Sequence, residues 1–152
     1  MVVESTRFGR LDVADDEVVR FPDGLPGFAD QTAFAVIPHS PDSPFVFFQS
    51  LGDPDLTFLM VTPFAFFSEY QFELDDGCAK ALAIDDPQDV KVFNIVTIPE
   101  KIEEMTANLL APVVVNWRRR VARQTVLDKT AYTTRHRLFP QGFPAKPAKG
   151  AK

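Results

Sequence analysis

The fold of this chain is decided by residues 105–116, which read Met105-Thr106-Ala107-Asn108-Leu109-Leu110-Ala111-Pro112-Val113-Val114-Val115-Asn116. The apolar run that they contain is too short to cross a membrane, and its β-branched residues favour a buried strand. Pro112 has no N–H to donate to a sheet, so we expect it at a bulge or with its nitrogen facing away from the neighbouring strand. The stretch therefore predicts a buried β-strand that is interrupted at Pro112.

The composition favours one β domain with short elements. A chain of 152 residues has the size of a single domain with its own hydrophobic core. It holds 15 Phe against 2 Tyr and 1 Trp, and Phe favours core packing because it has no polar atom that needs a partner. The 13 Pro outnumber the 7 Gly, and since prolines break helices we expect short elements and tight loops. Residues 1–137 are predicted to form the domain, and the Pro- and Lys-rich residues 138–152 a disordered basic tail.

Charge is distributed unevenly along the sequence. Residues 1–105 hold 20 acidic and 6 basic side chains, a net −14, whereas residues 106–152 hold 1 acidic and 10 basic side chains, a net +9. An acidic field over the first two thirds of the chain repels nucleic acid and attracts basic surfaces. A charge surplus is also common on domains that simply stay in solution, and the two explanations carry equal weight at this point.

The cysteine content and the N-terminus predict where the protein works. The single Cys78 has no partner for an internal disulfide, and the N-terminus lacks the apolar run of a secretory signal. No stretch approaches the ~20 apolar residues that a membrane helix requires. We therefore expect a reduced, soluble, cytoplasmic protein that does not contact a membrane.

Segments with strand character recur along the chain. They are Val2–Phe8 and Leu11–Val13, which flank a predicted hairpin turn at Gly9-Arg10, followed by Val18–Phe21, Ala33–Ile37, Phe45–Leu51, Leu56–Thr62, Val90–Ile98, Val113–Trp117 and Val121–Leu127. The segments Phe45–Leu51 and Leu56–Thr62 are apolar on both faces, so the hairpin that they form needs cover on both sides. The predicted fold is all-β and mainly antiparallel, β-barrel-like or a closed sandwich, with one or two short helices.

Two short helices are predicted. Asp75 or Asp76 stands in the position of an N-cap, and Cys78 and Leu82 have the spacing of one buried helical face. Residues 86–89, which read Asp-Pro-Gln-Asp, form a second start signal. The next strand follows so closely that only a single helical turn fits there.

The residue types that support catalysis or metal binding are not assembled into a recognisable site. Asp53 and Asp55 lie at the tip of a predicted hairpin, where hydrogen bonding to the local backbone explains them better than acid–base chemistry does. His39 and His136 are interpreted as loop residues, and with one cysteine the ligand count excludes a structural zinc site. Residues 24–27 form a GxxG that does not open a helix, so no phosphate-binding loop is predicted. We expect no enzymatic activity, no metal and no cofactor.

An alternative function is the binding of single-stranded RNA by a small β-barrel. Trp117 and the following Arg118-Arg119-Arg120 combine an aromatic platform with a guanidinium cluster, and Arg123 lies close by in the sequence. Such a basic turn on a barrel could bind single strands. The basic run is confined to one predicted hairpin turn, however, and most of the remaining chain is acidic. We therefore favour a solvated turn tip.

Four motifs in sequence order resemble the bacterial flagellar assembly factor FliW family. They are FPDGLPGF at Phe21–Phe28, FFQSLGDPD at Phe47–Asp55, the stretch of residues 105–116, and Tyr132–His136. The resemblance covers Val2–His136. The sequence departs from the family at Arg118–Arg120, a compact basic turn where relatives often have a turn richer in Asn and Gly.

The resemblance implies a β-barrel-like antiparallel fold and a function without catalysis. FliW proteins bind cytoplasmic flagellin before its export, and they bind the translational regulator CsrA, which represses flagellin messenger RNA. When flagellin accumulates it captures FliW, and the free CsrA stops translation. An acidic domain suits a partner that binds RNA through positive charge. The predicted partners are therefore flagellin and CsrA, without direct nucleic-acid binding, and we expect a monomer when the protein is free.

Loop position and the family motifs together predict the partner-binding surface. We place it at Asp53, Pro54, Asp55, Met105, Thr106, Asn108 and Leu110. In the alternative interpretation Asn108 only caps backbone groups, and Leu109 and Leu110 fill the core. For the two leucines we favour that alternative.

Overall fold

Eleven short β-strands provide most of the ordered structure in residues 1–142, the part of the chain that this computed structural model describes. The strands are β1 (Val2–Ser5), β2 (Gly9–Asp12), β3 (Val18–Arg20), β4 (Ala33–Pro38), β5 (Phe45–Ser50), β6 (Thr57–Val61), β7 (Val90–Thr97), β8 (Thr106–Ala107), β9 (Val113–Asn116), β10 (Val121–Gln124) and β11 (His136–Arg137). The α-helix of this part, α1 (Asp76–Ala81), is accompanied by single 3-10 turns at Asp15–Glu17, Pro63–Ala65, Pro87–Asp89 and Ile102–Glu104.

Seven of the strands close into a barrel in the order β3-β4-β5-β6-β7-β9-β10. Their neighbouring pairs are antiparallel except for β10 and β3, which meet in parallel at Val121 and Arg20. At this closure the N–H of Arg20 donates to the carbonyl of Arg120 at 2.9 Å. β1 and β2 form a separate hairpin, and β8 and β11 extend the sheet beside β7. The predicted all-β, mainly antiparallel barrel is confirmed.

The stretch of residues 105–116 runs antiparallel along one side of β7, as two strands with a bulge between them. β8 pairs with the C-terminal end of β7, and β9 pairs with its N-terminal half. Between these ladders Asn94 and Ile95 face the five residues Asn108–Pro112. Pro112 lies in this bulge, as its missing N–H predicted.

Phenylalanine rings fill the barrel interior. Phe21, Phe34 and Phe48 are fully buried, and Phe93 is 5% exposed. The ring centroids of Phe21 and Phe34 lie 5.4 Å apart, and those of Phe48 and Phe93 are also 5.4 Å apart, both in edge-to-face geometry. Each such ring contributes roughly 2–3 kcal/mol through its burial. The Phe-rich composition therefore serves the core, as predicted.

A second apolar cluster, on the outer face of β7, extends the packed chain past the predicted domain end. Leu138 is 5% exposed, and its N–H donates to the carbonyl of Met105 at 3.2 Å. The chain is therefore packed beyond residue 137. His136 lies in β11 and not in a loop as predicted, because β11 pairs with β8. Of the predicted basic tail, residues 143–152 lie outside the described part of the chain.

The N-terminal hairpin turns earlier than predicted. Ser5 pairs with Gly9, so the turn is Thr6–Phe8 and Gly9 begins β2. The Ser5 hydroxyl accepts hydrogen bonds from the N–H groups two and three residues further on, at 3.2 and 3.0 Å, and this local bonding ends β1. The predicted two-residue turn at Gly9-Arg10 is wrong. Sequence reasoning missed that a serine side chain competes with the strand for those N–H groups.

Both predicted helix starts are confirmed. The carboxylate of Asp75 accepts the N–H of Cys78 at 2.7 Å and caps α1. Asp86 caps the single turn Pro87–Asp89 through the N–H two residues further on, at 2.9 Å. Cys78 and Leu82 are each 2% exposed, as the helical spacing predicted. None of the helices within residues 1–142 has the length and apolar character that crossing a membrane requires.

The two glycines of the FPDGLPGF loop provide a test of this backbone. Gly24 and Gly27 have φ of +68° and +84°, but a Cβ at Gly24 would lie 2.5 Å from the carbonyl oxygen of Ala29, whereas one at Gly27 would meet nothing within 4 Å. We predict that Gly24→Ala lowers the free energy of unfolding by about 3 kcal/mol or more, because the clash adds to left-handed strain of ~1–2 kcal/mol. Gly27→Ala, the control, loses only that strain. Urea denaturation measures both, and equal losses would contradict the loop geometry.

Candidate functional site

The Asp53-Pro54-Asp55 turn is fixed to the N-terminal hairpin. The N–H of Asp55 donates to the Asp53 carboxylate at 2.9 Å, which confirms the predicted turn chemistry. The carbonyl of Pro54 accepts the N–H of Thr6 at 2.9 Å, and the Thr6 hydroxyl donates to the Asp55 carboxylate. Asp55 and Pro54 are exposed, and Asp53 is half-buried. The backbone of the turn is therefore fixed by hydrogen bonds, while the side chains at its tip are exposed.

Gln49 holds this turn from below. Its side chain is fully buried, and Nε2 donates to the carbonyls of Ser50 at 3.0 Å and Asp53 at 3.2 Å. Its Oε1 accepts the hydroxyls of Ser5 at 2.7 Å and Thr57 at 2.5 Å. A buried amide with both ends satisfied rigidifies its surroundings. The glutamine of the FFQSLGDPD motif is thus a structural residue that joins β1, β6 and the Asp53–Asp55 turn.

The second predicted segment lies at several depths. Met105 and Leu109 are 7% and 1% exposed and belong to the outer apolar cluster, whereas Thr106, Asn108 and Leu110 are half-buried. Asn108 Oδ1 accepts the N–H three residues further on at 3.0 Å, so this side chain does cap the backbone. Leu109 fills the core, as the alternative interpretation required. Leu110 keeps part of its side chain at the surface.

Buried polar groups hold the Asn108–Pro112 bulge in place. Asn94 is fully buried, and its Nδ2 donates to the carbonyl of Asn108 at 2.8 Å and to the Tyr70 hydroxyl at 3.3 Å. Tyr70 in turn donates to the carbonyl of Leu109 at 2.7 Å. Burial raises the pKa of the Tyr70 phenol to about 12, against a hydrogen bond from Asn94 that lowers it. The phenol is therefore neutral and able to donate at physiological pH.

The two predicted segments approach the same end of the barrel. β6 and β7 run antiparallel with Met60 opposite Ile95, so the C-terminal end of β7 lies on the side of the Asp53–Asp55 turn. β8 begins there with Thr106. Two strand spacings of ~4.8 Å separate β6 from β8, so Thr106 lies roughly 10 Å from β6 across the sheet, and the Asp53–Asp55 turn lies beyond the N-terminal end of β6. Asn108 and Leu110 lie further along β7, away from this end.

Two exposed isoleucines at this end were missed by the sequence reasoning. Ile98 and Ile102 are 51% and 55% exposed in the connection between β7 and β8. The same connection carries Glu100, Glu103 and Glu104. We call the surface formed by Asp53–Asp55 and Ile98–Thr106 the acidic end. The acidic residues around Ile102 were the available signal, because a charged connection is solvated.

The residues of the RNA-binding alternative lie on the β9–β10 turn, as predicted, but the tryptophan ring is already covered. Lys91 Nζ lies 4.2 Å and Arg120 Cζ 3.8 Å from the ring centroid of Trp117. The ring also packs on Phe93, with centroids 6.1 Å apart. A base-stacking platform requires an open aromatic face. The covered ring therefore disfavours this alternative, although Arg118 is exposed.

Other reactive side chains do not converge. Cys78 is buried on α1, and desolvation raises the pKa of its thiol, with the Asp75 carboxylate adding to the effect. Such a thiol is a poor nucleophile. In the described residues no group of three or more His, Cys, Asp or Glu is arranged to hold a metal ion.

The geometry defines a small β-barrel protein whose acidic end carries exposed apolar side chains. A model of the FliW protein family matches residues 2–138. The chain is 50% identical over 141 residues to the flagellar assembly factor FliW of Desulfitobacterium hafniense (strain DSM 10664 / DCB-2), with 93% of each chain covered. It is 42% identical over 136 residues to that of Bacillus subtilis (strain 168), with 90% of this chain and 95% of the relative covered. The chain belongs to the FliW family, which confirms the resemblance of the four motifs.

A solved structure supports the same assignment. The crystal structure of the flagellar assembly factor FliW matches this fold with a TM-score of 0.86 at 35% identity, covering 93% of this chain and 99% of that chain. The barrel described above is therefore the fold of the family.

The raised pKa of Tyr70 gives a pH-dependent prediction. At pH 7 we expect Tyr70→Phe to lower the free energy of unfolding by about 1–3 kcal/mol, because a buried carbonyl and amide lose their partner. Above pH 10 the unfolded phenol ionises first, so the wild type loses stability as pH rises from 10 toward 12, whereas the variant lacks this loss. Urea denaturation at pH 7, 10 and 11.5 should show the gap narrowing. A constant gap would show that the phenol is not desolvated.

Proposed function

We propose that this protein is a non-enzymatic flagellar assembly factor that binds flagellin in the cytoplasm in a chaperone-like way and also binds the translational regulator CsrA. Binding to CsrA relieves its repression of flagellin messenger RNA, and flagellin and CsrA exchange on the protein. Membership of the FliW family and the name of its relatives support the assembly role. The observation that carries the partner assignment is the acidic end, a rigid surface suited to docking proteins.

The composition of the acidic end fits a basic protein partner. Asp53 and Asp55 on the turn and the three glutamates of the β7–β8 connection place negative charge around the exposed Ile98 and Ile102. Charged groups at the rim of an interface steer association, and apolar side chains at its centre supply affinity. CsrA binds RNA through positive charge, so it matches this surface electrostatically. A base-pairing or phosphate-binding role would need the opposite sign.

The backbone hydrogen bonds of the acidic end favour tight binding. The turn is held by Gln49 from below and by Thr6 from the side. Because this turn is already ordered, less conformational entropy is lost when a partner docks on it. We infer that Asp53, Pro54, Asp55, Thr106, Asn108 and Leu110 contact partners, and that the buried Met105 supports them from beneath.

Charge reversal at the turn tests this surface. We predict that Asp55→Lys weakens CsrA binding by about tenfold or more, since a like charge then faces the partner. Asp55→Asn, which keeps an acceptor for the Thr6 hydroxyl, should weaken it less. Asp128→Lys, an exposed reversal in another loop, is the control and should bind like the wild type. Isothermal titration calorimetry of purified protein with CsrA and with flagellin measures each affinity.

Asn108→Ala examines the second segment in the same titrations. It removes the cap on the bulge, so folding is first verified by its thermal unfolding curve. If folded Asp55→Lys and Asn108→Ala variants both kept wild-type affinity for flagellin and for CsrA, the partner surface would lie elsewhere. A complex with CsrA that disappeared after nuclease treatment, and with the double variant Arg118→Glu and Arg119→Glu, would instead favour RNA binding.

A further inference from the structure

The barrel wall is split between β6 and β7. Only Met60 and Val61 of β6 pair with β7, opposite Ile95 and Asn94. The same register would place Pro63 opposite Val92, and a proline has no N–H to donate. The Pro63 carbonyl is turned into the Pro63–Ala65 turn, where it accepts the N–H groups three and four residues further on at 3.0 and 2.8 Å. The ladder therefore ends, and among residues 1–142 no strand pairs with the N-terminal half of β7 on this side.

The backbone of Val92 faces this split. Along β7 the carbonyls of Asp89 and Ile95 accept from Trp117 at 2.7 Å and from Asn108 at 2.9 Å, so the odd-numbered residues point their polar groups toward β8 and β9. Backbone direction alternates along a strand, which turns the N–H and C=O of Val92 the other way. Within residues 1–142 neither group has a ladder partner there. A strand edge in this state is a template for pairing with another chain.

A cleft follows this edge. It is lined in succession by Val90, Lys91, Val92 and Phe93. Because successive side chains of a strand point to opposite faces, a cavity that touches all four reaches the edge of the strand, and from there it extends across the end of the barrel to Val36 and Val46. Its volume is about 740 Å³, and a second cavity of about 440 Å³ continues it past Phe64. Cavities of this size accommodate a short peptide segment.

The cleft is lined mainly by apolar side chains, with two cations on its Trp117 side. Phe64 is 49% exposed at the cleft, and Trp117 also lines it, with Lys91 and Arg120 over its ring. Neither cation has a carboxylate within 4.0 Å in the described chain. Asp16 and Glu17 line the other rim, on the side of β4. An occupant thus needs apolar side chains and a carboxylate over the Trp117 side.

We propose that this cleft binds an extended segment of a protein partner as an added strand on Val90–Phe93. The segment would hydrogen bond to the N–H and C=O of Val92, place apolar side chains against Phe64, and direct an acidic side chain at Lys91 and Arg120, which cover the Trp117 ring. A helix leaves the strand edge unpaired, because its own backbone groups are already bonded. Residues 143–152 of this chain carry three lysines and no acidic residue, so their charge does not complement Lys91 and Arg120.

Peptide titration tests the proposal on the full chain. The probe is an acetylated and amidated heptapeptide that alternates threonine and valine, with a central glutamate, and its match carries lysine instead. In nitrogen-15 spectra we expect the glutamate peptide to shift the Val92 amide, to protect it from hydrogen exchange, and to bind roughly tenfold tighter than the lysine peptide. In an added strand every second peptide amide faces Val92. N-methylation of the amides that face Val92 should abolish binding, and N-methylation of the other set should leave the affinity unchanged.

Charge reversal on the protein provides the matched control. Lys91→Glu should invert the preference between the two peptides, while Lys80→Glu, an exposed reversal on α1, should leave it unchanged. A second variant, Arg120→Gly, serves if Lys91→Glu does not fold. The backbone tolerates glycine there because Arg120 has a φ of +57°, and the loss of the cation should weaken binding of the glutamate peptide.

Four results would overturn the proposal. The first is that neither peptide shifts the Val92 amide at millimolar concentration, and the second is that both peptides bind equally well to the wild type and to Lys91→Glu. The third is that self-association protects the Val92 amide from hydrogen exchange without peptide. The fourth is that deletion of residues 143–152 makes hydrogen exchange at the Val92 amide faster. The third result would assign the edge to a second copy, and the fourth to the chain's own end.

Discussion

The hydrogen bond from the buried side chain of Asn94 to the carbonyl of Asn108, at 2.8 Å, holds together the part of the barrel on which the rest depends. β7 carries two different strands on one side, and the ladder is interrupted between them by five residues that include Pro112. A buried carbonyl without a partner costs about 1–3 kcal/mol, so an interruption at this depth must be satisfied by side chains. Asn94 supplies one donor and Tyr70 supplies the next, to Leu109. The bulge lets one continuous stretch serve first as the outer strand β8 and then as the barrel strand β9.

Both surfaces of interest follow from how β7 is shared. At its C-terminal end β7 pairs with β8, next to the residues that pair with β6, and the β7–β8 connection lies at the same end of the barrel as the Asp53–Asp55 turn, which yields an acidic surface. At its N-terminal half β7 has lost β6, because Pro63 removes the donor that the next pair would need. One strand thus presents a closed, charged end and an open, apolar edge. The first suits docking of a folded basic protein, and the second suits pairing with an extended chain.

The sequence predicted what depends on local patterns and failed where distant residues decide. Two-faced apolar runs located β5 and β6, and the caps at Asp75 and Asp86 located the helical turns, since these signals lie within a few residues. The hairpin turn was predicted at Gly9-Arg10, but the Ser5 hydroxyl accepts two backbone N–H groups and places the turn before Gly9. β8 and β11 have two residues each, too few for a period to be seen.

Contacts with distant residues also explain why the predicted partner-binding residues are partly buried and partly exposed. Met105 reads as part of a loop, but its carbonyl bonds Leu138 and its side chain joins a cluster built from distant segments, so it is buried. Ile98 was predicted as the last residue of a strand, which ends at Thr97, and both Ile98 and Ile102 are exposed. Register between strands, which brings Thr106 to the end that carries Asp55, is not encoded in any short window. The most direct test is amide hydrogen exchange in Asn94→Ala. We predict that residues 109–111 lose protection while Phe48 and other amides of β5 stay protected, and unchanged protection at the bulge would contradict the account.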